Sequence, residues 1–197
     1  MSEPNLKILA VVGSTHPNSV IRLVLTRVAE ELRAGGCGVD LLDPSQEPLA
    51  LFNPATAFRQ PGFAALKARV ELADVLILGT PDYHGSMSGA LKNFLDHFWK
   101  EFAGKLFVTL VASHEKGLTV TDQLRTVARQ CYAWSLLYGV AFADKTDLQD
   151  GIVVSEALLT RLHMMVRDTQ VYGALLASQR RADLAGTDAG FMARLRQ

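Results

Sequence analysis

The residues best suited to chemistry lie between Thr80 and Ser86, in a segment that follows an apolar run and precedes a strongly periodic helix. Pro81 fixes its own φ and biases Thr80 toward an extended conformation, while Gly85 lets a flat ligand approach the main chain without a Cβ in the way. Open α/β sheets bind ligands in loops at the carboxyl ends of parallel strands. We therefore predict a ligand-binding loop that contains Pro81, Asp82, Tyr83, His84, Gly85 and Ser86.

The side chains of this loop favour binding over side-chain catalysis. Tyr83 and the main-chain groups suit a planar heterocycle with polar edges. An imidazole such as that of His84 is a common general acid or base, but the sequence pairs no acid or nucleophile with it, which favours a binding role. The run from Gly85 to Gly89 has Met87 where a nucleophile elbow has serine, so a serine hydrolase is not supported.

A second candidate loop, from Gly13 to Ser19, follows the first apolar run and opens a helix. A helix start offers N–H groups and the positive end of the macrodipole to a phosphate, and the hydroxyls of Ser14, Thr15 and Ser19 could add hydrogen bonds. A plain N-cap at Ser19 and a plain turn at Gly13 would give the same residues. Neither G-x-G-x-x-G nor G-x-x-x-x-G-K-[ST] occurs here, which argues against a dinucleotide-binding Rossmann turn and a P-loop.

A third loop, Ser113 to Gly117, follows the apolar run that ends at Ala112. Because parallel strands end at the same edge of a sheet, this loop should lie beside the other two. His114 is either a ligand contact or a solvated surface residue, and the sequence leaves both readings open. The three loops are predicted to converge on one ligand.

Short apolar runs alternate with segments of helical spacing along the chain. The predicted strands are Lys7 to Val12, Val39 to Leu42, Asp74 to Leu78, Leu106 to Ala112 and Gly139 to Phe142. The predicted helices are Ser19 to Ala34, Gly62 to Leu72, Ser88 to Phe102, Thr121 to Leu137 and Ser155 to Leu176. This alternation predicts an α/β fold in which a parallel sheet is covered by helices on both faces.

A chain of 197 residues with 49% apolar composition is long enough for one substantial core. We assign residues 1–178 to a single domain and residues 179–197 to a polar tail that is either frayed or packed on a partner subunit. A proline-rich segment from Asp43 to Pro61 separates the second strand from the second helix. A loop of this length is either functional or a contact surface, or it is a stiff wrap on the surface.

Charge and cysteine content exclude several classes of protein. The 20 Lys and Arg residues balance the 20 Asp and Glu residues, so neither nucleic-acid binding nor an acidic docking face is indicated. Cys37 and Cys131 show no clustering with other ligands, which argues against a zinc site and a disulfide scaffold. No apolar run approaches the roughly 18 residues of a membrane span and no secretory signal is visible, so a cytoplasmic protein without a membrane partner is expected.

Two motifs resemble the NADPH-dependent FMN reductase family, whose flavodoxin-like members include flavin, quinone, azo and chromate reductases. Gly13-Ser14 with Ser19 matches the opening loop of that family. Thr80-Pro81-Asp82-Tyr83-His84-Gly85-Ser86 with Gly89-Ala90-Leu91-Lys92-Asn93 and Asp96 matches its T-P-x-Y-x-x-x-x-x-G-x-L-K-N-x-x-D motif. The resemblance extends from about Leu6 to Ala143, and it implies a three-layer sandwich around a five-stranded parallel sheet of order 2-1-3-4-5.

The resemblance also implies FMN and NADPH (or NADH) as cofactors. By position, the FMN phosphate would be held by Ser14, Thr15, His16 and Ser19. The isoalloxazine and ribityl chain would contact Pro81, Asp82, Tyr83, His84, Gly85 and Ser86, with Ser113 and His114 beside the ring. The sequence departs from many relatives at His16, where an arginine is frequent, and in the third loop, which is bulkier than a glycine-rich one.

The activity implied by the resemblance is hydride transfer from nicotinamide C4 to flavin N5, which needs no catalytic side chain. Reduced flavin or a quinone, azo or chromate acceptor would be the outlet. Expected partners are further copies of the chain, as a homodimer or homotetramer, and a flavin-dependent monooxygenase. A non-enzymatic flavodoxin-type electron carrier is the alternative, although the balanced charge favours an enzyme. A receiver domain is disfavoured, because its acidic residues are missing after Val12 and Gly79.

Overall fold

The computed structural model describes residues 5–196, and its centre is a mostly parallel sheet between two layers of helices. The strands are β1 Lys7–Val12, β2 Gly38–Leu42, β3 Val75–Tyr83, β4 Ser86–Met87, β5 Leu106–Ala112, β6 Trp134–Ser135, β7 Val140–Phe142, β8 Leu148–Gln149 and β9 Ile152–Val153. The helices are α1 Val20–Ala34, α2 Phe63–Leu72, α3 Gly89–Asp96, α4 Leu118–Gln130, α5 Asp144–Asp147 and α6 Glu156–Ala185, with 3-10 turns at Ala57–Arg59, Lys100–Phe102 and Phe191–Leu195.

The main sheet has the order β2-β1-β3-β5-β6, with β7 also paired to β5. Alternate residues of β1 enter two separate cores: Ile8 and Ala10 pack toward α1 and α6, whereas Leu9 and Val11 pack toward α2, α3 and α4. This period of two buries both faces of the strand, as a parallel sheet between helices requires. The predicted α/β sandwich and the 2-1-3-4-5 order of its parallel strands are confirmed.

Among the described residues 5–196, the sheet has seven strands rather than five. The predicted fifth strand is β7, which pairs with the end of β5, whereas β6 pairs with the beginning of β5 and lies in a segment that we predicted to be helical. The two-residue strand β4 adds an antiparallel partner to β3. A second small sheet joins β8 to β9 through a turn at Asp150 and Gly151, both of which have positive φ.

Several boundaries differ from the sequence prediction. α3 ends at Asp96 instead of continuing to Phe102, because the N–H groups of His97 and Phe98 bond to carbonyls three residues back and tighten the chain. α4 begins at Leu118 and ends at Gln130, whereas we predicted Thr121 to Leu137. α6 continues nine residues past its predicted end at Leu176.

The last part of the chain folds back on α6. Met192 in the final 3-10 turn is buried, and the ring of Phe191 lies 4.5 Å from that of Tyr132. Residues 1–4 of the predicted domain and Gln197 of the predicted tail lie outside the described residues. Among residues 5–196, no helix combines the length and apolarity needed to cross a membrane.

Candidate functional site

The three predicted loops meet at one edge of the sheet, because β1, β3 and β5 are parallel neighbours. From β1 the chain goes outward to β2 and then returns to the other side of β1 as β3. Such a switch point leaves a crevice between the loops, which is where open α/β sheets bind ligands. Ser88 links the first two loops: its Oγ donates to the Gly13 carbonyl at 2.5 Å and its N–H donates to Thr80 Oγ1 at 2.9 Å.

The opening loop presents hydrogen-bond donors at the start of α1. Ser14 and Ser19 are buried, and their hydroxyls accept the N–H groups of His16 at 3.3 Å and Arg22 at 3.4 Å. Within residues 5–196, no acceptor bonds their hydroxyl protons or the N–H of Thr15. The first turn of α1 carries no acidic side chain. This set of donors, at the positive end of a helix, is suited to an anion.

Other hydrogen bonds fix the shape of this loop. Arg22 donates to the carbonyls of His16 at 3.2 Å and Pro17 at 2.8 Å, and it is also paired with the Asp43 carboxylate. His16 is exposed, and its Nδ1 accepts the N–H of Asn18 at 3.1 Å. The neutral ring therefore carries its proton on Nε2. These contacts hold the loop in shape, and they leave the hydroxyl protons of Ser14 and Ser19 free to bind a ligand.

The predicted loop from Thr80 to Ser86 is a β-hairpin rather than an irregular loop. β3 continues past Leu78 to Tyr83, because residues 80 and 81 remain paired with β5, and Tyr83 then faces Ser86 in β4. The prediction that this strand ends at Leu78 was wrong. The two residues between the strands, His84 (φ 57°) and Gly85 (φ 73°), both have positive φ, as a type I′ turn requires.

Two side chains hold the hairpin against the third loop and against α4. The carboxylate of Asp82 accepts the N–H of Gly85 at 2.8 Å and the hydroxyl of Ser113 at 2.9 Å. Gln123 on α4 accepts the Ser86 hydroxyl at 3.0 Å and the next main-chain N–H in β4 at 3.3 Å, and it donates to the Gly85 carbonyl at 3.2 Å. These bonds make the hairpin a rigid shelf at the edge of the crevice.

The structure brings all the predicted site residues to this edge of the sheet, at different depths. The buried residues are Ser14, Ser19 and Ser113. The half-buried residues are Pro81, Asp82, Gly85 and Ser86. The exposed residues are Thr15, His16, Tyr83, His84 and His114. The exposed members are therefore available to a ligand, whereas Asp82 and Ser113 are engaged with each other. Asp82 is better described as a residue that positions the hairpin.

Sequence reasoning missed three residues that organise the site. Gln123 lies in a helix with no motif around it, and Arg22 looks like an ordinary surface residue of α1. Asn93 belongs to the quoted motif, but only the structure shows its role: it accepts the N–H of Phe52 at 2.7 Å and donates to the carbonyl of Ala50 at 3.0 Å. Asn93 thereby ties the proline-rich segment to α3.

The comparison with known families decides the assignment. The profile of the family described as "NADPH-dependent FMN reductase" matches residues 6–147. The chain belongs to this family. The matched range contains all three loops of the site and the strands that carry them.

This chain is similar to a curated relative and to two solved structures. The FMN-dependent NADPH-azoreductase of Staphylococcus aureus is 34% identical over 97 residues, which cover 47% of this chain and 52% of that protein. The chain thus matches about half the length of this relative. The apo form of the NADH:FMN oxidoreductase EmoB has a TM-score of 0.69 at 20% identity, covering 87% of this chain and 89% of that one. FerB, an NAD(P)H:(acceptor) oxidoreductase from Paracoccus denitrificans, has a TM-score of 0.68 at 19% identity, covering 88% and 98%.

The residues of the site fit FMN in their chemistry. The donors of the opening loop, with no carboxylate among them, suit a phosphate. The hairpin shelf carries the exposed Tyr83 and His84, so a flat ring with polar edges would meet both apolar surface and main-chain groups there.

Proposed function

We propose that this protein is an NAD(P)H-dependent FMN reductase, which transfers hydride from a nicotinamide to FMN. The outlet is then the reduced flavin itself or the transfer of its electrons to a quinone, azo or chromate acceptor. Family membership supports this proposal. The observation that carries it is the start of α1, where the buried hydroxyls of Ser14 and Ser19 and the N–H of Thr15 donate to no acceptor within residues 5–196. When bound, FMN would supply the redox chemistry.

The chain's own residues would bind and orient rather than exchange protons. Ser14, Thr15, His16 and Ser19 would hold the phosphate, with Arg22 keeping the loop in shape. Pro81, Asp82, Tyr83, His84, Gly85 and Ser86 would support the ring and the ribityl chain, and Ser113 and His114 would close its other side. Because the hairpin is locked by Asp82 and Gln123, it can hold a ring in one orientation, which is the main requirement for hydride transfer.

The proposal includes an assembly. In a homodimer or homotetramer, a neighbouring subunit would complete the nicotinamide side of the site, and a flavin-dependent monooxygenase is a candidate consumer of reduced flavin. Native gel filtration tests the assembly, and a monomer with full activity would contradict it. Adding a monooxygenase to the NADPH oxidation assay tests the second partner.

The substitution Ser19→Asp tests the phosphate site. Aspartate is as good an N-cap as serine, so the free energy of unfolding should change by less than about 0.5 kcal/mol. The new carboxylate would face the phosphate, so the affinity for FMN should fall by roughly tenfold or more. FMN fluorescence quenching measures the affinity, and urea unfolding measures the stability.

The matched control is Ser155→Asp. Ser155 caps α6 in the same way, with its Oγ accepting the N–H of Leu158 at 3.2 Å, but it lies outside the three loops. This variant should bind FMN like the wild type. Equal FMN affinity in both variants and the wild type would remove the start of α1 from the site, and failure of the wild type to bind FMN at all would sink the proposed function.

A further inference from the structure

A second depression begins at the far side of the third loop. Its volume is about 450 Å³, within the roughly 300–1,000 Å³ range of small-molecule sites. It is lined by the third loop, by the first two turns of α4, by the strand region around β7 and by α6. The flavin site described above uses Ser113 and His114 of the same loop, whereas this depression uses Glu115 and Lys116. The two sites are therefore neighbours along the chain.

Three cationic side chains line this depression: Lys116, Arg125 and Arg161. Arg161 donates to the carbonyls of Gly139 at 2.9 Å and Ala141 at 3.4 Å, which orients its guanidinium without neutralising the charge. Among residues 5–196, neither Arg161 nor Lys116 has an acidic partner within 4.0 Å.

Acidic side chains offset only part of this charge. Asp122 is paired with Arg125 at 3.2 Å, and that pair is largely exposed to solvent. Glu115 is the other acid in the lining. Three cations therefore face two carboxylates, and a guanidinium held by carbonyls is well suited to a phosphate monoester.

Apolar side chains complete the lining. Leu118 and Leu137 are 65% and 84% exposed, and both belong to the depression together with Tyr138. A ligand with a flat apolar ring and a phosphate would cover the leucines and meet the arginines. The lining thus has the two properties that a purine nucleotide needs.

We infer that this depression binds the adenosine 2′-phosphate end of NADPH, with Arg161, Arg125 and Lys116 on the phosphate and Leu118 and Leu137 against the adenine. The inference rests on the proposed function, since the nicotinamide end would then lie over the third loop at the flavin site. It deepens that function by selecting NADPH over NADH. The cationic and apolar side chains belong to one depression, and the third loop links it to the flavin site.

The test compares NADPH with NADH in the flavin-loaded protein. Arg161→Gln and Lys116→Gln should each raise KM for NADPH by roughly tenfold, the loss expected when one charged hydrogen bond to a phosphate is removed. KM for NADH should change by less than about twofold in the same variants. Lys116 makes no hydrogen bond within the described residues, so its replacement is not expected to disturb folding. Arg129→Gln, one turn beyond Arg125 on α4 and outside the depression, is the matched control.

A binding measurement without turnover completes the test. Adenosine 2′,5′-bisphosphate should bind the wild type in calorimetry and bind Arg161→Gln and Lys116→Gln at least about tenfold more weakly, while FMN quenching stays unchanged. Equal losses with NADPH and NADH, unchanged KM values, or no binding of the bisphosphate to the wild type would overturn the inference. Failure of the proposed function is distinct, because the wild type would then fail to bind FMN.

Discussion

At the scale of single residues, Arg22 connects the opening loop to the end of β2. It donates to two carbonyls of the loop and to Ser45 Oγ at 2.8 Å, and it is paired with the carboxylate of Asp43. Burial raises the pKa of Asp43, but the hydrogen bonds from Arg22 and from Ser45 outweigh it, so the net pKa lies below the usual value of 3.8. A carboxyl group with a lowered pKa in the folded state stabilises that state only while it is ionised.

The lowered pKa of Asp43 determines how the stability loss in Asp43→Asn should depend on pH. At neutral pH the variant should lose about 1.5–3 kcal/mol, because it removes a charged hydrogen bond from a nearly buried pair. The difference from the wild type should persist above pH 3.8 and shrink as the pH falls through the folded pKa of Asp43. Urea unfolding at a series of pH values measures it. Asp40→Asn is the control, because the Asp40 pair with Arg69 is more exposed and should contribute less than about 1 kcal/mol. A loss in Asp43→Asn that is independent of pH would contradict the assignment.

At the scale of elements, the backbone of the hairpin between β3 and β4 determines which residues can replace His84 without strain. Its φ of 57° is tolerated by asparagine, which favours the first position of a type I′ turn, but it is strained for a β-branched residue. His84→Asn should retain stability to within about 0.5 kcal/mol, with FMN affinity and turnover near those of the wild type. His84→Val should lose about 1–3 kcal/mol and bind FMN more weakly.

This pair of variants separates backbone geometry from imidazole chemistry. If the imidazole transferred a proton during turnover, both variants would lose kcat by a similar factor, and that result would contradict a purely structural role. The hairpin also limits what Gly85 can test. Any side chain at Gly85 is strained at φ 73°, so a substitution there reports on the turn before it reports on the ligand.

Prediction of the elements succeeded where one local pattern decides the structure. The first and last residues of β1 and β5 were predicted correctly from their apolar runs, because strands buried on both faces are continuously apolar. The end of α4 was missed, since the helix stops in a Schellman motif whose left-handed residue is Tyr132 rather than glycine. The Asp150-Gly151 hairpin has the Asp-Gly sequence that favours such a turn, but the sequence prediction did not include it.

The candidate site shows the same division. The loops and their shared edge could be predicted because strand order and loop position follow from the fold. The bonds of Gln123 to the hairpin and of Asn93 to residues 50 and 52 could not, since they join positions about 40 residues apart. A single sequence carries no signal for such long-range pairs.

At the scale of the whole molecule, apolar surface lies at the end of the sheet opposite the site. Trp99 and Trp134 are 64% and 59% exposed, and Tyr132, which is 52% exposed, lies in the connection from α4 to β6. Trp134 pairs with Leu106, the first residue of β5, whereas the third loop follows Ala112, the last residue of that strand. A partner subunit docked on these aromatic residues would lie at the opposite end of β5 from the third loop. If a neighbour also completes the nicotinamide side, two kinds of interface are needed, which favours a homotetramer over a homodimer.

The substitution Trp134→Glu tests this arrangement. A carboxylate in the centre of an apolar interface has no partner and is costly to bury, so assembly through this surface should be lost. The wild type should elute as a tetramer and the variant as a dimer, and the dimer should still bind FMN and oxidise NADPH because its other interface and its three loops are intact. Leu51→Glu, at a leucine on the proline-rich segment that is 84% exposed, should leave the elution volume unchanged. Elution of Trp134→Glu at the wild-type position would show that the aromatic surface is not an interface, and a fully active monomer would show that no neighbour completes the site.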